Sequence, residues 1–391
     1  MTTDPTTLVG NWNYPTTVKF GVGRIDSLAN TCKSLGMTRP LIVTDPGLAE
    51  LPMIRNAIDA NLAAGLPTGL FSNVKPNPLG SNVEAGVQVY RDGDHDGVIA
   101  WGGGSGLDAG KAVALMAGQS RPIWDFEDIG DNWKLADADA IAPIVAVPTT
   151  SGTGSETGRA SVITHEETHT KKIIFHPKMM PSIVICDPAL VAGLPPALTA
   201  FTGMDALAHC FEAFCAPGYH PMADGIAIEG MRLVKEWLPE AFLNGSNLEA
   251  RAHMMSAAAM GSTAFQKGLG AIHSLSHPVG AIYDTHHGLT NAVFMPYVMV
   301  FNRDAIAERM NHLARYLALP KSGFDGVLDW VMELRETFTV PHTAADLGVV
   351  NDRLNELSKM AAEDPTAASN PVPAGPPEMR AMYETAIAGR L

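Results

Sequence analysis

The chain has 391 residues, enough for two ordinary cores, and 46% are apolar against 17% charged, the balance of a compact globular protein. Its 27 basic residues against 41 acidic ones leave a net charge of −14, which excludes the electrostatic footprint of a nucleic-acid or anionic-membrane binder. No apolar run reaches the ~18 residues of a membrane span, and the opening MTTDPTTLVGNW lacks the basic start and apolar core of a signal peptide, so a cytoplasmic protein is expected.

In chain order, the first half alternates short β-branched runs with helical stretches. LIVTD (41–45), GVIAWG (97–102), IVAVPTT (144–150) and SIVICD (182–187) read as strands, with amphipathic segments such as 25–36 and 80–93 between them. Strands alternating with helices predict a mostly parallel sheet. In 160–176 two β-prone runs flank a polar turn, which predicts a hairpin on the edge of this domain. After residue 190 the β runs vanish. The proline-rich PALVAGLPPALTA marks a joint, and the pattern is helical over 198–215, 221–238, 247–267, 269–280, 291–316, 322–337, 351–361 and 377–389. The expected architecture is an α/β N-terminal domain with a mostly parallel sheet over 1–189 and an all-α C-terminal domain over 190–391, with the site in the cleft between them. Cys32, Cys186, Cys210 and Cys215 are irregularly spaced, and buried free thiols in a reducing compartment are the expected state.

WGGGSGLDAGKAVAL (101–115) follows a strand and opens a helix. Its glycines let backbone approach a pyrophosphate, and the helix N-terminus offers free amides. Ser105 is placed to cap, and Asp108 to accept a bond from a ribose or an amide. This is not the GxGxxG fingerprint, so an ordinary Rossmann half is not inferred. PTTSGTGSE (148–156) brings five hydroxyls in nine residues, suited to wrapping a diphosphate or a nicotinamide amide. Asp45, ending the LIVTD strand, is placed for the adenosine ribose, where a carboxylate repels a 2′-phosphate and favours NAD.

The second half carries the metal chemistry. In TGMDALAHCFEAF, Asp205 and His209 stand four apart in a breaker-free helical segment, so both face one way. In GLGAIHSLSHPVGAIYDTHHGLTN, His273, His277, His286 and His287 follow. A lone histidine on an apolar helix is usually a core residue, but this clustering points to a divalent transition metal held by one carboxylate and three imidazoles. The spacing leaves open whether His277 is a ligand or relays the alcohol proton, and which of His286 and His287 faces the ion. The donor set suits Fe(II) or Zn(II). Pro278 removes a backbone donor, so a kink in that helix is expected.

Together these motifs, running over nearly the whole chain, resemble the iron-containing (group III metal-dependent) alcohol dehydrogenase family. The resemblance implies a dehydroquinate-synthase-like fold, with NAD on the α/β domain and the metal on the helical one. It implies Asp205, His209, His273 and His287 as metal ligands and His277 as the non-ligand histidine of the proton relay. Gly103, Gly104, Ser105, Asp108, Thr149, Thr150, Thr153 and Lys171 match its cofactor contacts. Three departures stand out: AFQKGLG, which sets Phe265, Gln266 and Lys267 beside the His273 helix; Trp101 before the glycines; and the late loop DPTAASNPVPAGPP, which lacks a basic residue after NP. Lys267 is either a solvated rim residue or a grip for an anionic substrate tail.

The expected reaction is reversible hydride transfer between an alcohol, including an anionic ω-hydroxy acid, and NAD, with Lewis-acid help from the metal and His277 or a water chain taking the proton. Glycerol-dehydrogenase and dehydroquinate-synthase chemistry on the same fold are the rivals, as is a non-catalytic metal-binding protein. The substrate is a small alcohol or aldehyde, and a homo-oligomer, dimer or larger, is expected.

Overall fold

The computed structural model describes residues 10–12, 16–168 and 170–391. Most of the N-terminal stretch read for a targeting signal, and His169 in the predicted hairpin, lie outside them. The chain divides into two units, one formed by residues up to Thr150 with Gly154–Gly193, the other by Ser151–Thr153 with Leu194–Leu391.

The first unit is built on a seven-stranded sheet. Its strands are β1 (Gly10–Trp12), β2 (Thr17–Phe20), β3 (Pro40–Val43), β4 (Gly69–Phe71), β5 (Gly97–Gly102), β6 (Ile144–Pro148) and, after the hairpin, β9 (Ile183–Cys186). The order is β1-β2-β9-β6-β5-β3-β4, parallel throughout except for β1 against β2. β3, β5 and β6 are buried at every position, as strands covered on both faces must be, which is why they read as continuous apolar runs. The four strands expected from sequence are all present. The strands not predicted, β1, β2 and β4, lie toward the sheet's edges, and β2 and β4 are only partly buried, so they lack the continuous apolar run of the central strands. Helices α1 (Leu28–Ser34), α2 (Pro46–Ala49), α3 (Pro52–Ala63), α4 (Gly80–Asp92) and α5 (Gly104–Met116) complete the unit. The predicted hairpin is β7 (Ala160–His165) with β8 (Thr170–Phe175), but it forms its own two-stranded antiparallel sheet and does not extend the main one. Trp101 is fully buried among Leu28, Ile42, Ile54, Val147 and Ile185, so its bulk serves the core.

The second unit is helical: α6 (Pro196–Cys215), α7 (Pro221–Leu243), α8 (Leu248–Ala264), α9 (Ala271–Tyr283), α10 (His287–Phe301), α11 (Arg303–Tyr316), α12 (Gly323–Thr337), α13 (Leu354–Glu363) and α14 (Pro376–Ala388). α6 is buried around nearly its whole circumference from Thr199 to Cys215, making it the central helix of the unit. α9 runs on through Pro278 to Tyr283. The predicted single helix 291–316 is two. His286 caps the first with its ring nitrogen, so α10 begins four residues early, and the chain turns at Asn302. That buried amide exchanges hydrogen bonds of 2.9 Å in both directions with Asn370, a partner no local pattern reveals. All four cysteines are buried free thiols, as expected. Among the described residues no helix is long and apolar enough to cross a membrane.

One contact fixes how α5 lies on the sheet. A Cβ at Gly110 would stand 2.5 Å from the Ala100 Cβ on β5. Gly110→Val is expected to destabilise the protein by about 1–3 kcal/mol through overpacking. A lowered denaturant midpoint at unchanged slope would show it, and an unchanged midpoint would refute it.

Candidate metal centre and dinucleotide turn

β3 has β4 on one side and β5 on the other, so the order of strands reverses there. In open parallel sheets ligands bind beyond the carboxyl ends of the strands at such a reversal. The turns leaving β3 and β5 carry Asp45 and Gly102–Ser105. Asp45 caps α2, its Oδ1 accepting from the Leu48 amide at 3.0 Å. Gly102 has φ 144°, a region that favours glycine, and a Cβ on Gly106 would lie 2.7 Å from the Trp101 carbonyl oxygen. α5 thus starts hard against β5, and Gly103, Gly104 and Ser105 sit at a helix N-terminus with its unsatisfied amides.

One expectation needs correcting here, and one residue has a task within the protein. Ser105 caps nothing, because α5 starts at Gly104 with Gly103 as its cap and Ser105 already inside the first turn. Asp108 is engaged within the protein: Oδ1 accepts from Ser155 Oγ at 2.5 Å and Oδ2 from the Val162 amide at 2.9 Å. One turn into α5, its carboxylate faces the Thr/Ser loop and β7, and it anchors both. Fully buried Lys111 backs it, 3.3 Å from Oδ1, and donates to the carbonyls of Ser155 and Ala160. Thr149 donates its amide to the Gly102 carbonyl at 2.9 Å, and a Cβ on Gly103 would meet Thr150 Cγ2 at 3.0 Å, so both threonines border the turn. Thr153 belongs to the three-residue stretch counted with the helical unit, and Lys171 stands half-buried on β8 opposite Thr164.

In the helical unit, α6 presents Asp205 and His209 one turn apart, the first turn of α9 supplies His273, and the first residue of α10 is His287. Ligand atoms of Asp205, His273 and His287 all lie within 4.8 Å of one another. Asp205 Oδ1 stands 3.5 Å from His287 Nε2. His209 is not in that group, but its ring stacks on His273 with centroids 4.7 Å apart, and its Nδ1 lies 4.0 Å from Asp205 Oδ2. That buried nitrogen has no hydrogen-bond partner, and burial pulls the imidazole down to about 4, so it stays neutral as a ligand must. A carboxylate and two imidazoles that converge, with a third neutral imidazole beside them, fit a divalent transition metal.

Two carboxylates not singled out from sequence hold these rings. Glu212, one turn beyond His209, receives His273 Nδ1 on Oε2 at 2.6 Å and the Ile272 amide on Oε1 at 2.6 Å. His273 Nε2 is left toward Asp205 and His287, the carboxylate–histidine arrangement common around metals. Burial alone would lower the His273 imidazole, but the Glu212 charge and hydrogen bond outweigh it and raise it above its ordinary value. The second carboxylate is Asp364, whose Oδ2 lies 2.7 Å from His277 Nδ1. His277 stays outside the converging group, its ring parallel to His287 at 5.4 Å. His286 turns away, its Nδ1 accepting the Leu289 amide at 3.4 Å and its ring 5.5 Å from Phe201. Asn291 was also missed: its Nδ2 is 2.8 Å from Asp205 Oδ1 and 3.2 Å from both His273 Nε2 and His287 Nε2. Its position four residues after His287 was the available signal.

The Phe265 ring packs 5.2 Å from His209. Lys267 is neither a solvated rim residue nor a free cation. Its side chain is 2% exposed, and Nζ donates to Asp224 Oδ1 at 2.6 Å and to the Phe214 carbonyl.

Two family models match in succession, iron-containing alcohol dehydrogenase over residues 15–188 and the C-terminal region of the same family over 199–387. The chain belongs to the iron-containing alcohol dehydrogenase family. It is 37% identical to the 4-hydroxybutyrate dehydrogenase of Cupriavidus necator, over 96% of this chain and 99% of that protein. It is 35% identical to the NAD-dependent methanol dehydrogenase of Bacillus methanolicus, over 92% and 95%. A crystal structure of 1,3-propanediol oxidoreductase superposes with a TM-score of 0.90 at 33% identity, covering 97% of this chain and 99% of that one. As a member of this iron-containing alcohol dehydrogenase family, the chain is a metal-dependent oxidoreductase acting on CH–OH groups, with NAD and iron as cofactors.

Gly288 tests the geometry. A Cβ there would stand 2.2 Å from the Phe201 carbonyl oxygen and 3.1 Å from Asp205 Cβ. Gly288→Ala must therefore push the start of α10, with His287, away from α6, and metal affinity is expected to fall about 10–100-fold. Chelator competition measures this, and unchanged affinity would refute it.

Proposed function

We propose that Asp205, His209, His273 and His287 hold the metal, that the α/β unit takes NAD, and that His277 passes the alcohol proton toward solvent. The observation that carries the metal assignment is the convergence of the Asp205, His273 and His287 ligand atoms, with the orphaned His209 nitrogen beside them. Asp45, Gly103, Gly104, Ser105, Thr149, Thr150, Thr153 and Lys171 form the proposed dinucleotide site. The strand reversal at β3 and the close packing at Gly102 and Gly106 support it. Asp108 contributes through the loop it anchors.

When bound, the cation supplies Lewis acidity toward the alcohol oxygen, and NAD accepts the hydride. The chain's own residues do the rest. Glu212 fixes the His273 ring, and Phe265 offers an apolar wall next to His209. The substrate we propose is a short primary alcohol, with a diol or an ω-hydroxy acid as the variants that the 1,3-propanediol and 4-hydroxybutyrate relatives suggest. Lys267 stays a substrate residue only if Asp224 releases it, so an anionic tail has no ready grip from that side chain. The buried free thiols support a reducing cytoplasm, and a homo-oligomer, dimer or larger, belongs to the same proposal.

Protein loaded anaerobically with Fe(II) or Zn(II) is expected to form NADH with short primary alcohols. His273→Ala is expected to lose both metal and turnover. His277→Ala is expected to keep its metal and slow by about 10²–10⁴-fold, the usual range for a general acid–base group. Equal metal content in wild type and His273→Ala would overturn the ligand assignment.

A further inference from the structure

The loop after α13 is pinned from both ends. Asp364 Oδ1 accepts the Thr366 amide at 2.9 Å and the Thr366 hydroxyl. Asn370 Oδ1 accepts the Ala271 amide at the start of α9 at 3.1 Å, and its Nδ2 donates to the Val372 carbonyl at 2.7 Å. The loop is thereby fastened to the helix that carries His273 and His277, with Asp364 Oδ2 left for one partner, His277 Nδ1. Burial works against a charge on this carboxyl, but His277 and the Thr366 donors outweigh it and hold it below the ordinary carboxylate range. An ionised carboxylate only accepts, so the shared proton belongs to the imidazole.

We propose that Asp364 is the positioning residue of the proton relay: it locks His277 in the Nδ1–H tautomer, leaving Nε2 as the acceptor for the alcohol proton. The inference rests on the reading of His277 as the relay. In alcohol oxidation the C–H bond breaks with its electron pair leaving as hydride to NAD. The O–H proton goes to Nε2, and the imidazolium so formed stands against the Asp364 carboxylate. It returns to neutral by giving that Nε2 proton to solvent, and Asp364 stays ionised throughout. An amide at 364 can offer His277 a donor as readily as an acceptor, so the other tautomer becomes accessible and the basic nitrogen turns to the wrong side.

The test compares Asp364→Asn, His277→Ala and the double variant as metal-loaded enzymes, recording kcat, KM and bound metal. Asp364→Asn is expected to cut kcat at least about tenfold with KM and metal content kept, and the double variant to match His277→Ala, because residues acting as one unit are non-additive. Asp364→Glu is expected to recover part of the loss. Full turnover in His277→Ala sinks the relay reading itself. A slow His277→Ala alongside an unimpaired Asp364→Asn, or additive losses in the double variant, overturns the inference and leaves that reading standing. Should Asp364→Asn fail to fold, ¹⁵N-histidine NMR of the zinc-loaded wild type, with the His277 signal assigned by its absence in His277→Ala, decides the matter. An Nδ1–H signature supports the proposal and an Nε2–H signature overturns it.

Discussion

A buried carboxylate surrounded by buried imidazoles is expensive in an apolar helical core. Desolvation costs several kcal/mol for each ion and is recovered only where the charges are matched. α6 is buried around its circumference, yet it carries Asp205, His209 and Glu212 inward. Such a cluster persists because its members compensate one another and because a divalent cation can neutralise what remains. The polar interior of the helical unit is arranged around that requirement. Glu212 takes the proton side of His273, Asn291 reaches Asp205, His273 and His287, and Gly288 lets α10 approach α6 closely enough to bring His287 in.

A parallel need shapes the α/β unit. A helix that opens against a strand end needs room for its first turn, whose leading amides have no partner within the helix. Gly102 and Gly106 supply it by letting α5 start directly on β5. The polar side chains nearby are then spent on holding the loops. Asp108 and Lys111 form a buried ionic tie between α5, the Ser155 region and β7. The acid in GGGSGLDAGK thus has a structural task, which its proximity to the glycines in sequence disguises.

The same distinction separates the histidines. His286 and His287 are adjacent and chemically identical, but one caps a helix and the other faces Asp205. His273 and His277 share a helix face, and each is paired with a different carboxylate, Glu212 on α6 and Asp364 on the late loop. Ring orientation, and so chemical role, follows from the partner on the Nδ1 side.

By itself the sequence determined what repeats locally. The buried strands β3, β5, β6 and β9, the helix that sets Asp205 beside His209, the glycine-rich turn and the cluster of histidines all follow from side-chain period and backbone freedom over a few residues. Only the tertiary structure decided which groups meet across long separations. Asp364 reaches His277 from 87 residues away, Asn370 bolts the corner at Asn302 from 68, and Lys267 is captured by Asp224 from 43. Hydrogen bonds and ion pairs of that kind leave no periodic trace, because their partners are selected by packing in space and not by neighbours along the chain.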